Sequence, residues 1–149
     1  MTTVIRTYQI LVKAPVQSAF DYVSDLTRHP EWSGADLRIT AISSGPIAVG
    51  KEYTSHGAVA TQKNRPNQLK VTQYNSPKQF SFVAKDPDFG DVKHDFTFTE
   101  HGGGVIIQRT VTLSLAPVTA FMFRLFINPL VGKPLMDRAL SALQANLEK

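Results

Sequence analysis

A histidine and an arginine on two neighbouring apolar runs are the residues of this chain whose types and spacing could support chemistry. His94 alternates with Phe96 along the first run, and Arg109 alternates with Ile107 along the second. If both apolar rows lie on the same side of a hairpin that turns through His101–Gly104, Phe96 lies opposite Ile107 and His94 lies opposite Arg109. Directly opposed side chains have Cβ atoms about 4.5–5.5 Å apart. The sequence therefore predicts a histidine–arginine pair on the inward face of a sheet.

An arginine on an inward face needs a partner, because an unpaired buried charge is strongly destabilising. If Arg109 lines a cavity, its charge favours an anionic or carbonyl-bearing ligand and drives His94 towards the neutral form. His94 could then exchange a hydrogen bond with the same ligand, and it is the candidate catalytic residue. Two structural alternatives stay open. A bulge turns Arg109 outward, or Arg109 pairs with an internal carboxylate and His94 is a hydrogen-bonded core residue.

Two other kinds of site are disfavoured by spacing. The stretch Gly45–Glu52, GPIAVGKE, has the glycines and lysine of a phosphate-binding loop, but Glu52 stands where that loop needs Ser or Thr, and a strand follows where it needs a helix. The four histidines lie on separate predicted elements without the spacing of paired metal ligands. We therefore expect a turn at Gly45–Glu52, no bound metal and no cofactor.

Length and composition indicate one globular domain over residues 1–149. A chain of this size can bury about 68–70% of the surface that its unfolded form exposes, and it has no cysteine for a disulfide or thiolate site. The net charge of +4 is spread singly along the chain, so we expect no nucleic-acid partner. No leader-like or membrane-spanning run is present, which leads us to expect a cytoplasmic protein without a transmembrane segment.

Alternating or apolar runs bounded by turn residues predict seven strands, at Val4–Lys13, Leu37–Ser44, Glu52–Val59, Gln68–Asn75, Gln79–Lys85, Val92–Glu100 and Val105–Leu115. Two short helices are predicted after the first strand, at Ala14–Val23 and Thr27–Trp32. A long helix is predicted from Pro117 to the C-terminus, kinked near Pro129 and Pro134. This order indicates an α+β fold with a single curved antiparallel sheet.

Several stretches resemble a known family: Ala14-Pro15, Phe20–Asp25, His29–Trp32, Gly50–Tyr53 and the terminal helix. Together they are similar to the START-like, polyketide cyclase/dehydrase and lipid-transport (SRPBCC) superfamily over nearly the whole chain. The resemblance implies a helix-grip fold, in which a seven-stranded sheet wraps around the C-terminal helix and leaves an apolar cavity. Members bind lipids, hormones or polyketides, only some are enzymes, and they share no universal catalytic residue.

The apolar walls of such a cavity would come from the strand faces and from the segment 118–131, which is apolar almost all round. A bound lipid-like ligand, a dimer partner or a membrane surface with Arg124 at the head groups would cover the second face of this segment. The predicted ligand-binding residues are Arg109, His94, Tyr53, Trp32, Phe96, Phe82, Phe121, Met122 and Leu125. Ordinary core packing is the structural alternative for the aromatic residues among them.

Three functional hypotheses follow. The first is a protein that binds a hydrophobic or amphiphilic small molecule between the sheet and the C-terminal helix. The second is a polyketide cyclase/dehydrase-like enzyme in which His94, with Tyr53 or Arg109, moves protons and stabilises an enolate. The third is an interaction module whose apolar terminal helix contacts a client protein or, in a homodimer, a second copy of the chain.

Overall fold

A computed structural model describes residues 1–33, 37–59, 62–86 and 90–149. The elements run in the order β1 (Thr2–Val12), α1 (Val16–Ser24), a 3₁₀ helix (Leu26–Glu31), β2 (Leu37–Ala41), β3 (Glu52–Val59), β4 (Gln62–Asn75), β5 (Gln79–Asp86), β6 (Gly90–His101), β7 (Gly104–Leu115), α2 (Pro117–Met122), a π-helical segment (Phe123–Gly132) and α3 (Lys133–Leu147).

The strands form one seven-stranded antiparallel sheet in the order β1-β7-β6-β5-β4-β3-β2. Each strand from β2 to β6 pairs with the next strand along the chain, and β1 pairs with β7 at the opposite edge of the sheet from β2. Each predicted strand is present. The largest difference from the predicted bounds is the start of β4, which begins at Gln62 rather than Gln68. The added residues are polar and show no apolar alternation, but their backbone pairs with β3 and therefore forms a strand.

The observed register of the β6–β7 hairpin differs from the predicted register by two residues. Gly102 and Gly103 have φ values of 54° and 85°, and this left-handed backbone allows a two-residue turn that pairs His101 with Gly104. The pairing predicted from the sequence, with Phe96 opposite Ile107, was therefore wrong, and His94 lies opposite Val111 rather than Arg109. Because the shift equals the two-residue period of a strand, both side chains stay on the predicted face.

The two helices after β1 form where local chemistry favours them. Pro15 precedes α1 with extended backbone, and the helix buries the predicted apolar face, including Phe20 and Val23. The 3₁₀ helix begins after Asp25, whose carboxylate accepts a hydrogen bond from the Thr27 N–H at 3.1 Å. This cap fixes the start of the segment that carries His29.

The C-terminal helix is continuous from Pro117 to Leu147, although its central part is π-helical. Pro129 lies in that wider part, and the helical backbone continues through Gly132 into α3. A π-helical segment is therefore present where the sequence predicted a kink at proline. Among the described residues, no helix combines the length and apolarity needed to cross a membrane.

The core lies between the inner face of the sheet, α1, the 3₁₀ helix and α3. Its largest fully buried side chains include Trp32, Tyr53, Phe20, Phe80 and Phe96, with Leu143 contributed by α3. The sheet thus wraps around the C-terminal helix, and the α+β helix-grip fold expected from the sequence is confirmed.

Candidate ligand-binding site

A cavity of about 320 Å³ lies between the sheet and the C-terminal helix. Its volume is at the lower end of the range of about 300–1,000 Å³ that small-molecule sites occupy. The sheet side comes mainly from β1, β5, β6 and β7, and the helix side comes from the π-helical segment and α3. The lining residues are Arg6, Tyr8, Asn67, Ala84, Asp86, Val92, His94, Val111, Leu113, Phe123, Asn128, Gly132, Leu135 and Met136.

The helix side of the cavity depends on the π-helical geometry. Phe123 and Asn128 both line the cavity although they are five residues apart, as a π-helical turn allows. The Tyr8 hydroxyl on β1 donates a hydrogen bond of 2.9 Å to the Asn128 side-chain oxygen. This bond ties the π-helical segment to the first strand at the cavity wall.

His94 is the cavity-lining residue with the most defined chemistry. An Arg109 guanidinium nitrogen, Nη2, lies 3.1 Å from His94 Nδ1. Because arginine can only donate, Nδ1 must be the acceptor, and we infer that the proton of the neutral ring is on Nε2. Burial and the Arg109 charge hold the pKa of His94 well below its usual range, so the ring is neutral. His94 therefore offers an N–H donor, and its Nε2 has no hydrogen-bond partner within the described residues.

Arg109 lies behind His94 and is almost fully buried, with 4% of its surface exposed. Its guanidinium carbon is 5.2 Å from the centre of the Phe96 ring and 5.7 Å from that of Trp32. Burial lowers the pKa of Arg109 to about 10, so the group still carries its charge at neutral pH. Its Nε has no hydrogen-bond partner, and no carboxylate in the described parts of the chain forms an ion pair with it. Two aromatic faces partly compensate the buried charge.

His29 and Trp32 add two further buried polar atoms to this cluster. They are three residues apart around the 3₁₀ helix, and their ring centres are 4.5 Å apart. His29 Nδ1 and Trp32 Nε1 are buried without a hydrogen-bond partner. Burial, and secondarily the Arg109 charge, lowers the pKa of His29 to about 3. The 3₁₀ helix thus supplies a second neutral histidine to the environment of Arg109.

The predicted site residues occupy three different environments. His94 lines the cavity, and Phe82 stacks on its ring with centres 4.6 Å apart. The other buried members are Arg109, Phe96, Trp32 and Tyr53. Burial raises the pKa of Tyr53 to about 12. The helix residues of the prediction are exposed, on the outside of the C-terminal helix: Phe121, Met122 and Leu125.

Sequence reasoning missed the polar cavity residues on other elements. Arg6 and Tyr8 alternate on β1 with buried Val4 and Val12, and this alternation was the available signal. Asn67 gives no such signal, because it lies in the polar first part of β4. Its side-chain oxygen is buried without a hydrogen-bond partner and lines the cavity, so it is an acceptor available to a ligand.

The neutral, buried state of His29 predicts that the protein loses stability as the pH falls. The folded pKa of about 3 lies below the unfolded value of about 6.5, so below about pH 6.5 only the unfolded chain takes up the proton. The free energy of unfolding should therefore fall by about 2 kcal/mol from this residue between about pH 6.5 and pH 5, with no contribution above pH 6.5. Urea denaturation of the wild type and of His29→Asn across this range measures the effect. An unchanged pH slope in the variant would contradict the assignment.

Several solved structures share this fold. The NMR structure of KanY protein (ms6282) aligns over 100% of both chains with a TM-score of 0.74 at 18% identity. The di-domain ARO/CYC StfQ from the steffimycin biosynthetic pathway gives a TM-score of 0.75 at 11% identity, over 98% of this chain and 51% of that one. Protein Ms6760 from Mycobacterium smegmatis gives 0.69 at 19% identity, over 96% and 90% of the two chains. No curated protein sequence matches the chain.

The family comparison covers nearly the whole sequence. A family model described as "Polyketide cyclase / dehydrase and lipid transport" matches residues 3–148. The matched range contains all of the seven strands except the first residue of β1, and both parts of the cavity wall. The chain therefore belongs to the polyketide cyclase/dehydrase and lipid-transport family.

Proposed function

We propose that this protein binds an amphiphilic small molecule, with an apolar body and an anionic or carbonyl oxygen, in the cavity between the sheet and the C-terminal helix. The observation that carries the proposal is His94 at the wall of that cavity, with the Arg109 guanidinium 3.1 Å from its Nδ1. The family and the fold support the same coarse role, a hydrophobic-ligand-binding or polyketide cyclase-like one.

The cavity wall favours an apolar ligand body. Seven of its fourteen lining residues have apolar side chains: Ala84, Val92, Val111, Leu113, Phe123, Leu135 and Met136. Burial of apolar ligand surface against such residues supplies affinity without fixing the orientation of the ligand. Met136 adds a flexible side chain that adapts to different shapes. These walls suit a compact aromatic or short aliphatic body.

The polar end of the ligand is defined by the N–H of His94 and the charge behind it. A ligand oxygen that accepts from His94 Nε2 would also provide the negative partner that Arg109 lacks among the described residues. Hydrogen bonds that involve a charged group contribute about 1.5–3 kcal/mol, more than neutral ones. Because Arg109 is buried, its charge is weakly screened. We therefore expect a carboxylate or enolate oxygen to bind better than a hydroxyl.

A matched pair of aromatic ligands tests this preference. 2-Naphthoate and 2-naphthylmethanol have the same ring system, but only the first carries a negative charge. Calorimetric titration of the wild type should show tighter binding of the naphthoate, by about tenfold or more, as one charge-assisted hydrogen bond predicts. Equal affinities would contradict the proposed head-group site, and absence of binding by both would contradict an aromatic ligand body.

An enzyme of the cyclase type is the second candidate, and the tautomer of His94 constrains it. Because Nδ1 accepts from Arg109 and Nε2 carries the proton, the neutral ring is arranged to donate to an enolate oxygen rather than to abstract a proton. Such an enzyme would lose turnover of a polyketone substrate in His94→Ala while it retains much of its ligand affinity. Loss of binding and turnover in parallel would favour the binding protein.

A further inference from the structure

The outer side of the C-terminal helix exposes an unusual number of large apolar side chains. We name these residues the outer apolar face: Val118, Phe121, Met122, Leu125, Phe126, Ile127, Leu130 and Val131. Their exposed fractions run from 37% for Ile127 to 76% for Val118. The π-helical segment itself has no fully buried residue. A contiguous exposed apolar surface of this kind marks an interaction site in a water-soluble domain.

The charge around the outer apolar face is net positive. The sequence has no Asp or Glu between Glu100 and Asp137, whereas Arg124 and Lys133 lie within and beside the face. Lys133 and Asp137 neutralise each other in an ion pair, with Nζ and Oδ2 2.7 Å apart, so Arg124 is the cation within the face that this pair leaves uncompensated. Arg138 adds a further cation one position later. The face is therefore apolar with a basic margin.

We propose that the outer apolar face docks onto the surface of an anionic lipid bilayer. A helix with exposed Phe and Leu side chains and flanking basic residues can lie in the interface, where the apolar side chains enter the acyl boundary and the cations contact phosphate groups. The helix would lie along the membrane, since no described helix is able to cross it. This inference depends on the exposed surface alone and holds whether or not the cavity binds the proposed ligand.

Charge decides between a bilayer and a second copy of the chain. A twofold dimer through this face would bring the Arg124 side chains of both copies into one interface, and the nearest carboxylate along the helix, Asp137, is already paired with Lys133. An anionic membrane provides the opposite sign over the same area. The net charge of +4 also favours the bilayer over a second copy, because two positively charged chains repel each other whereas an anionic surface attracts the chain.

Co-sedimentation with lipid vesicles tests the proposal, and two valines provide a matched comparison. Val131 on the outer apolar face is 60% exposed, and Val49, in the loop between β2 and β3, is 63% exposed. Replacement of either by Asp changes the net charge equally. We expect the wild type to bind vesicles of phosphatidylcholine with phosphatidylglycerol better than vesicles of phosphatidylcholine alone. Val131→Asp should weaken this binding by at least about tenfold, Arg124→Gln by about fivefold, and Val49→Asp should match the wild type.

Three results would overturn the proposal. The first is a wild type that does not co-sediment with the anionic vesicles, and the second is equal binding of these vesicles by Val131→Asp and Val49→Asp. The third is a wild type that does not bind vesicles but forms a dimer in light scattering, and whose dimer is dissociated by Val131→Asp. This result would assign the outer apolar face to a second copy of the chain. Far-UV circular dichroism of each variant shows that the fold is retained, as expected for substitutions at exposed positions.

Discussion

Arg109→Met should weaken the binding of 2-naphthoate by about 10- to 100-fold, because a buried charge about 8 Å from the ligand oxygen contributes about 2 kcal/mol at an effective dielectric constant of about 20. Binding of 2-naphthylmethanol should change much less, because the neutral ligand gains little from the Arg109 charge. Stability should be nearly unchanged. The buried guanidinium has no carboxylate partner in the described chain, and an apolar side chain in place of a buried charge is often neutral or stabilising.

The combination of lost selectivity and retained stability distinguishes a ligand-binding role from a structural one. If Arg109 were only a core residue held by His94 and two aromatic rings, its replacement would lower the free energy of unfolding and affect both ligands alike. Calorimetric titration with the two ligands and urea denaturation give both measurements. Arg109→Lys serves as the control, because it retains the charge without the planar guanidinium and should recover part of the preference for naphthoate.

Leu143→Ala should lower the free energy of unfolding by about 2–5 kcal/mol, as truncation of a fully buried leucine does. Leu143 is 0% exposed and belongs to the main core cluster, where α3 packs inside the curved sheet. The substitution removes apolar contacts from the helix that the sheet wraps around, and it leaves a cavity that the surrounding side chains fill only partly. Urea denaturation measures the loss directly.

The matched control is the same substitution on the outside of the same helix. Leu130 is 72% exposed, so Leu130→Ala should change the free energy of unfolding by no more than about 0.5 kcal/mol. Similar losses of stability in the two variants would contradict the assignment of Leu143 to the buried side of the helix and of Leu130 to its exposed side. A large loss from Leu130→Ala alone would place the outer apolar face against another part of the protein.

The architecture was predictable from the sequence because the strands carry a strong period-two pattern. The β3 range Glu52–Val59 agrees with the prediction at both ends, since turn residues bound a clear alternation. The start of β4 at Gln62 was not predictable, because its polar first residues are a strand only through pairing with β3. Pairing with the neighbouring strand β3, rather than the local sequence pattern, therefore determines where β4 begins.

The His94–Arg109 contact was predicted, although through a pairing that proved wrong. The sequence placed both residues on one face, which requires only the period of the strands. Their relative position depends on the turn, and the two glycines at 102 and 103 set it by adopting left-handed backbone. The actual contact is diagonal, and the length of the arginine side chain allows it to reach the histidine at 3.1 Å.

The helix side of the cavity was the least predictable part of the site. A regular α-helical period cannot identify which residues of the segment 118–131 face inward, because the π-helical turns change the spacing of the inner row. Phe123 and Asn128 therefore line the cavity, while Phe121 and Leu125, which were predicted to bind ligand, are exposed. The inner and outer rows of one helix thus serve the two proposed roles, ligand binding and membrane docking.

The most direct test of ligand binding in this cavity is a two-dimensional amide NMR titration of the ¹⁵N-labelled protein with 2-naphthoate. The exposed residues of the outer apolar face could also attract an aromatic molecule, so the location of the shifts matters as much as their size. We predict saturable chemical-shift changes centred on His94, Val111, Asn128 and Leu135, from both walls of the cavity. Changes confined to the outer apolar face, without saturation, would contradict a ligand-binding cavity between the sheet and the helix.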